Sequence, residues 1–158
     1  MKPTFYFCNP TAHRHQAQEI RLRIEAETNI DLISPFYEAD GTPTEEIRQL
    51  DNGEATTIDQ YQIVDRDLEL IDNSDGIVAY VTNRTSWGSI QECYHAARVC
   101  RRPTYIIFDP ATRGACSHCG VSNPNNIAHP WAKRNSAKLF ESVEEFIAFA
   151  KEKYGPAA

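Results

Sequence analysis

The stretch Asp75-Gly76-Ile77-Val78-Ala79-Tyr80-Val81 decides the fold of this chain. A turn-forming Asp-Gly pair leads into five consecutive apolar residues, a pattern typical of a strand with both faces buried. Apolar residues recur at helical spacing before it, which predicts a helix from Thr57 to Asp72. A loop at Thr82–Gly88 and a second helix, from Ser89 to about Cys100, are predicted after it. A buried strand between two helices indicates a parallel sheet with helices on its faces.

Outward from this strand, the same alternation continues in both directions. Further strands are predicted at Thr4–Cys8, Asp31–Ile33, Thr104–Phe108 and Lys138–Phe140, and further helices at about Ala12–Glu27 and Val143–Tyr154. Two long loops interrupt the order, at Tyr37–Ala55 (with one helical turn near Glu45–Leu50) and at Asp109–Ser136. The order predicts a single α/β domain over residues 1–158, with a flavodoxin- or Rossmann-like, doubly wound parallel sheet of five strands and flanking helices.

Composition and charge exclude several functional classes. The 158 residues carry a net charge of −6, so we do not expect a surface for polymeric nucleic acid. We expect no membrane partner and a cytoplasmic location, because the chain has neither a bilayer-spanning apolar run nor a signal-peptide pattern. The five cysteines favour reduced thiols over a disulfide framework. One CxxC unit, Cys116 to Cys119, falls short of the four ligands of a structural zinc site, so no metal or cofactor is predicted.

The segment after the buried strand holds the first candidate site residues. Thr85-Ser86-Trp87-Gly88-Ser89-Ile90-Gln91-Glu92 opens the predicted helix, where free backbone N–H groups and Gly88 make a cradle for a phosphate or oxyanion. The Ser86 hydroxyl adds a donor, and Glu92 lies one turn inside the helix. Ser89 and Glu92 also fit a capping box. From the motif alone, a cap is the more frequent interpretation of Glu92.

Two further segments contribute polar candidates. Asp67 precedes Leu68 of an apolar stripe, so its side chain is expected at the edge of the buried face, although charged helix residues more often form a solvated face. Two carboxylates in one pocket would suit glycosyl transfer, since one attacks the anomeric carbon and the other manages protons. Tyr6 lies in the first strand, and Arg14 opens the next helix, where a cation is unfavourable unless an anion accompanies it.

These pieces together resemble the nucleoside 2-deoxyribosyltransferase family, including the deoxynucleoside 5′-monophosphate N-glycosidases. The resemblance runs from Phe5 to Phe108 and is densest from Asp67 to Thr82, followed by Ser86-Trp87-Gly88 and Glu92. Phe5-Tyr6-Phe7 is similar to the Ile-Tyr-Phe that is common in the family's first strand. The resemblance implies an enzyme that cleaves or transfers the N-glycosidic bond of a (deoxy)nucleoside or its 5′-monophosphate through a covalent Glu-glycosyl intermediate.

The resemblance also implies a role for each matching residue. Glu92 matches the nucleophile, Asp67 the carboxylate that assists proton transfer to the leaving base, and Tyr6 the tyrosine that holds nucleophile and sugar. Contacts to a small-molecule nucleoside or nucleotide are implied for Asn9, Arg14, Ser86 and Gly88, and Trp87 is a candidate for stacking on the base or for packing. A homodimer or higher homo-oligomer is expected from the family.

Departures from the family pattern bear on substrate identity more than on reaction type. Cys93-Tyr94 replaces the Leu-Gly that often follows the nucleophile, and the loop from Cys8 to Arg14 is not glycine-rich. Two alternatives remain open. One is a TIR-like NAD glycohydrolase, in which nicotinamide leaves. The other is a nucleotide-binding sensor with the same cradle and no turnover. A paired Asp67 favours the nucleoside 2-deoxyribosyltransferase interpretation over the NAD glycohydrolase.

Overall fold

The computed structural model describes residues 1–82, 87–108, 114–115, 122–123 and 130–158. The strands in these ranges are β1 (Thr4–Cys8), β2 (Asp31–Ile33), β3 (Gly76–Val81), β4 (Thr104–Phe108), β5 (Gly114–Ala115), β6 (Ser122–Asn123) and β7 (Lys138–Phe140). The α-helices are α1 (Arg14–Glu27), α2 (Glu45–Asp51), α3 (Gln60–Asp72), α4 (Trp87–Tyr94), α5 (Pro130–Asn135) and α6 (Val143–Tyr154). A 3-10 turn at Thr11–His13 precedes α1, and a π-helical turn at His95–Val99 continues α4.

Five parallel strands form the main sheet, in the order β2-β1-β3-β4-β7. The central position of β3 explains its uniform apolarity, because neighbouring strands and both covering layers leave no side of it in water. Strands β5 and β6 form a separate antiparallel pair. The predicted doubly wound, five-stranded α/β fold is confirmed.

The two faces of the sheet carry separate cores. Alternation along β1 sends Phe5 and Phe7 to one face, where they pack with residues of α1 and α6. Tyr6 and Cys8 point to the opposite face, among buried residues of α3 and α4 that include Ile71 and Cys93. Each fully buried large apolar side chain stabilises the fold by roughly 1.5–3 kcal/mol. Tyr6 is thereby directed towards the helices that carry Asp67 and Glu92.

Close packing also explains the glycine that begins β3. A Cβ atom on Gly76 would lie 2.5 Å from the carbonyl oxygen of Pro103 and 2.8 Å from the ring of Phe5. Any larger residue would push β3 away from both neighbours. Gly76 therefore permits β3 to lie close to Phe5 of β1 and to the carbonyl oxygen of Pro103.

Several predicted boundaries differ from the structure, and α3 begins at Gln60 rather than at Thr57. Helix α4 begins at Trp87, so Trp87 and Gly88 are helical and Ser89 is the third residue of the helix rather than its cap. The predicted loop from Asp109 to Ser136 contains α5 and the β5–β6 pair, and α2 extends to seven residues. None of the helices in the described ranges is both long and apolar enough to cross a membrane.

Candidate active site

Tyr6 and Glu92 meet on the face of the sheet that α3 and α4 cover. Tyr6 is fully buried, and its hydroxyl donates a hydrogen bond to Oε1 of half-buried Glu92 at 3.2 Å. The side chain of Glu92 therefore has a partner in β1, 86 residues away along the chain. The capping-box interpretation of Ser89 and Glu92 is wrong, because Ser89 lies inside α4 and cannot be its cap.

The surroundings of Glu92 make its carboxyl group easy to protonate. Burial raises the pKa of Glu92 from 4.5 to about 7, and the negative charge of Asp67 acts in the same direction. The neighbouring Cys8 thiol and the hydrogen bond from the Tyr6 hydroxyl lower this pKa, as does the positive charge of Arg66. Near neutral pH, the carboxyl group is thus divided between its protonated and ionised forms.

Asp67 is buried in α3, with 9% of its surface exposed. Arg66 binds Asp67 Oδ1 through Nε at 2.9 Å and Nη2 at 2.8 Å, and its Nη1 lies 3.3 Å from Oε2 of Glu46. Burial raises the pKa of Asp67, the guanidinium of Arg66 lowers it, and the charge of Glu46 raises it. The pair of carboxylates at Asp67 and Glu92 is thus accompanied by one cation.

Three residues of this cluster were missed by the sequence analysis, namely Arg66, Glu46 and Cys8. Arg66 belongs to the run Asp65-Arg66-Asp67, which resembles an ordinary solvated helix face. Glu46 lies in the predicted loop, and Cys8 was interpreted only as a buried thiol. The amphipathic pattern of α3 did contain one usable signal, because Asp67 lies beside its apolar stripe.

The loop between β1 and α1 holds the other polar candidates. Asn9 is buried, and its Nδ2 donates to the carbonyl of Pro10 at 3.2 Å. Arg14 donates from Nε to Oδ1 of Asp51 at 3.0 Å and from Nη1 to the Thr11 carbonyl at 3.0 Å. The anionic partner expected for Arg14 is therefore the carboxylate of Asp51, at the end of α2. A phosphate at Arg14 would have to share or replace this contact.

The amino-terminal end of α4 contributes an exposed aromatic side chain. Trp87 has 79% of its surface exposed, which does not fit the packing interpretation of this residue. Gly88 follows it inside the first turn of the helix. Ser86 lies outside the described residues, as do Cys116 and Cys119 of the CxxC unit.

Two carboxyl groups in different surroundings, one of them hydrogen-bonded to a tyrosine, suit substitution at a carbon that carries a leaving group. The two carboxyl groups lie near enough for the charge of Asp67 to raise the pKa of Glu92, which suits a pair in which one acid is ionised while the other carries a proton. Among the described residues, Tyr6, Asp67 and Glu92 are brought together. Arg14 instead belongs to a separate cluster with Asp51.

Comparisons with known proteins identify the fold. No protein-family model and no curated protein matches the chain. A solved structure of the 2-deoxyribosyltransferase from the psychrotolerant bacterium Bacillus psychrosaccharolyticus does match it, with a TM-score of 0.59 over 98% of this chain and 99% of that one. The chain has the fold of a 2-deoxyribosyltransferase. The two sequences are 14% identical, so the likeness is one of architecture.

A second solved structure shows the same architecture. A conserved protein from Enterococcus faecalis V583 superposes with a TM-score of 0.66 and 16% identity, over 97% of this chain and 99% of that one. Both matches cover nearly the full length of each chain, so the likeness is one of the whole domain rather than of one part of it. The resemblance inferred from the sequence is thereby confirmed at the level of the fold.

Proposed function

We propose that this protein cleaves or transfers the N-glycosidic bond of a (deoxy)nucleoside or its 5′-monophosphate, with Glu92 as the nucleophile. The observation that carries the proposal is the convergence of Glu92 and Asp67, from two different helices, beside the hydroxyl of Tyr6. The 2-deoxyribosyltransferase fold supports it, because that fold houses an enzyme named for deoxyribosyl transfer.

In the first half-reaction, an oxygen of Glu92 forms a bond to C1′ as the bond from C1′ to the base nitrogen breaks. The bonding electrons leave with the base, which takes a proton, and the sugar remains as an ester of Glu92. In the second half-reaction, an acceptor base or water attacks C1′ from the opposite side, passes its proton to Asp67 and releases the carboxylate of Glu92. A base acceptor gives transfer, and water gives hydrolysis.

Tyr6 and Asp67 have different roles in this scheme. Tyr6 holds Oε1 of Glu92, which orients the carboxylate for attack on C1′. Asp67 has its Oδ1 bound by Arg66, so Oδ2 is the oxygen that exchanges a proton with the leaving base. Arg66 is a positioning residue here, since it acts through Asp67.

The substrate would lie along the carboxyl ends of β1 and β3. We propose that Asn9, Ser86 and Gly88 contact the sugar or its phosphate, and that exposed Trp87 stacks on the base. Arg14 would bind a 5′-phosphate by turning from Asp51, so a phosphate requirement should depend on that ion pair.

Exposed apolar side chains on α3 and α4 support the proposal of a homodimer or higher homo-oligomer. The exposed fractions of these four side chains range from 44% to 81%, for Tyr61, Val64, Ile90 and Tyr94. Apolar surface on two adjacent helices is commonly covered by a partner. Light scattering coupled to size-exclusion chromatography tests it, and a monomer at micromolar concentration would contradict it.

The decisive experiment incubates the purified protein with deoxynucleosides, their 5′-monophosphates, ribonucleotides and NAD, with and without a second base. Chromatography measures free base and exchanged nucleoside. Glu92→Ala should abolish turnover, whereas Glu69→Ala, which removes an exposed glutamate of α3, should not. Turnover that survives in Glu92→Ala would overturn the proposed nucleophile.

The panel also separates the alternatives. Release of nicotinamide alone would identify an NAD glycohydrolase. Binding without turnover, with affinity little changed in Glu92→Ala, would identify a nucleotide-binding sensor. Trapping the sugar ester by mass spectrometry after denaturation would show the covalent intermediate directly.

A further inference from the structure

Three side chains with metal-binding atoms converge away from Tyr6, where α3 ends and the π-helical turn continues α4. His95 Nε2 lies 2.7 Å from Asp72 Oδ1, and the Cys100 thiol lies 3.2 Å from the same oxygen. One nitrogen, one sulfur and one carboxylate oxygen thus lie within 4.8 Å of one another. The side chains of Asp72 and His95 are 57% and 20% exposed, so an ion in solution can reach them.

The π-helical turn is what brings His95 and Cys100 to the same side. In an α-helix, residues five apart point about 140° away from each other, since each residue turns the chain by about 100°. Here the Cys100 N–H donates to the His95 carbonyl at 3.0 Å, the bond between residues five apart that defines a π-turn. The wider turn stacks the two side chains, and π-turns of this kind occur frequently at functional sites.

We propose that Asp72, His95 and Cys100 bind a zinc ion, with water as a further ligand. Zinc combines imidazole, thiolate and carboxylate ligands, and an incomplete set of protein ligands is completed by water. Binding replaces the proton of the Cys100 thiol, which is released to solvent. The thiolate and the carboxylate then balance the two positive charges of the ion.

The position of this site gives the ion a mechanical role. Asp72 lies five residues after Asp67 on α3, about 7.5 Å along the helix axis. His95 lies three residues after Glu92, about 4.5 Å along α4. An ion that joins Asp72 to His95 therefore ties together the two helices that carry the buried carboxylates. Their separation would then depend on whether the ion is bound.

No metal was predicted from the sequence, because its one CxxC unit falls short of the four ligands of a structural zinc site. Asp72 and His95 are 23 residues apart, and no regular spacing joins them to Cys100. The thiols of that unit, Cys116 and Cys119, lie outside the described residues and can bind the same ions, so a metal titration has to remove them.

The test therefore uses the full chain in a Cys116→Ser/Cys119→Ser background, freed of metal and kept reduced. Titration with Co²⁺, a spectroscopic substitute for zinc, should give one equivalent of binding with a thiolate-to-cobalt charge-transfer absorption. Added Zn²⁺ should displace the cobalt. In Cys100→Ser the absorption should disappear, and in His95→Ala the affinity should fall by more than ~100-fold.

A matched variant and a folding check distinguish the loss of a metal ligand from the loss of the fold. Cys93→Ala removes a buried thiol of the same helix and should leave the cobalt absorption unchanged. Circular dichroism should show that each variant is folded before titration. Absence of the absorption in the background protein, or its persistence in Cys100→Ser, would overturn the proposal and leave the three side chains as a hydrogen-bonded group. The readout is metal binding, so neither outcome depends on the proposed enzymatic activity.

Discussion

Replacing Glu92 by glutamine should stabilise the protein above neutral pH and leave its stability nearly unchanged in mild acid. Burial raises the pKa of Glu92 from 4.5 to about 7, so the folded state holds a proton that the unfolded state has lost between these values. Wild-type stability therefore falls as pH rises from about 4.5 to about 7, and the full penalty is present above pH 7. Glutamine is neutral at every pH and keeps an oxygen that accepts the bond from Tyr6.

The magnitude follows from the raised pKa. At about 1.4 kcal/mol for each pH unit between 4.5 and about 7, the penalty is at most about 3.5 kcal/mol. Glu92 is only half-buried, so partial solvation reduces the expected gain to about 1.5–3 kcal/mol at pH 8. For a domain of this size, that corresponds to a melting temperature higher by roughly 4–10 °C.

Urea unfolding at pH 4.5 and pH 8 measures the effect. The difference between Glu92→Gln and wild type should be near zero at the lower pH and reach its full value at the higher one. Glu152→Gln, a matched change at an exposed glutamate of α6, should show no comparable pH-dependent difference. Equal stability of Glu92→Gln and wild type at pH 8 would refute the account of Glu92 as a carboxylate that burial makes difficult to ionise.

Three further changes test the site and the fold. Tyr6→Phe removes a hydrogen bond of about 2 kcal/mol, so kcat/KM should fall roughly 30-fold. Because this bond lowers the pKa of Glu92, the acid limb of the pH profile of kcat/KM should move to higher pH, and an unmoved limb would contradict the assignment. Arg66→Met leaves Asp67 without its cation and should lower the free energy of unfolding in urea by about 2 kcal/mol. The control Arg48→Met, which breaks the exposed pair of Arg48 with Glu45, should lower it by under ~0.5 kcal/mol, and equal losses would contradict a special role for Arg66. Gly76→Ala should destabilise by about 3 kcal/mol, and a cost below ~1 kcal/mol would show that β3 has more room than the contacts allow.

The strands and the main helices could be predicted because their signals are local. The apolar run of β3 and the helical spacing of α3 are each contained within about a dozen residues, and each pattern fits one kind of element. Boundaries were less certain, as α4 shows by beginning at Trp87 rather than Ser89. The π-helical turn after it had no local signal, since its residues also fit an ordinary helix.

The chain alone placed Tyr6, Asp67 and Glu92 on three elements of one parallel sheet architecture, because strand alternation and helical periodicity are properties of short segments. Their meeting is a property of the tertiary structure. The strand β1 had to lie beside β3, and α3 and α4 had to cover one face, before the Tyr6 hydroxyl could reach Glu92 across 86 residues of chain. The same long-range packing made Asp51 the partner of Arg14 and made Glu46 a neighbour of Arg66. Side-chain pairing and burial both depend on the folded arrangement, and so does the raised pKa of Glu92.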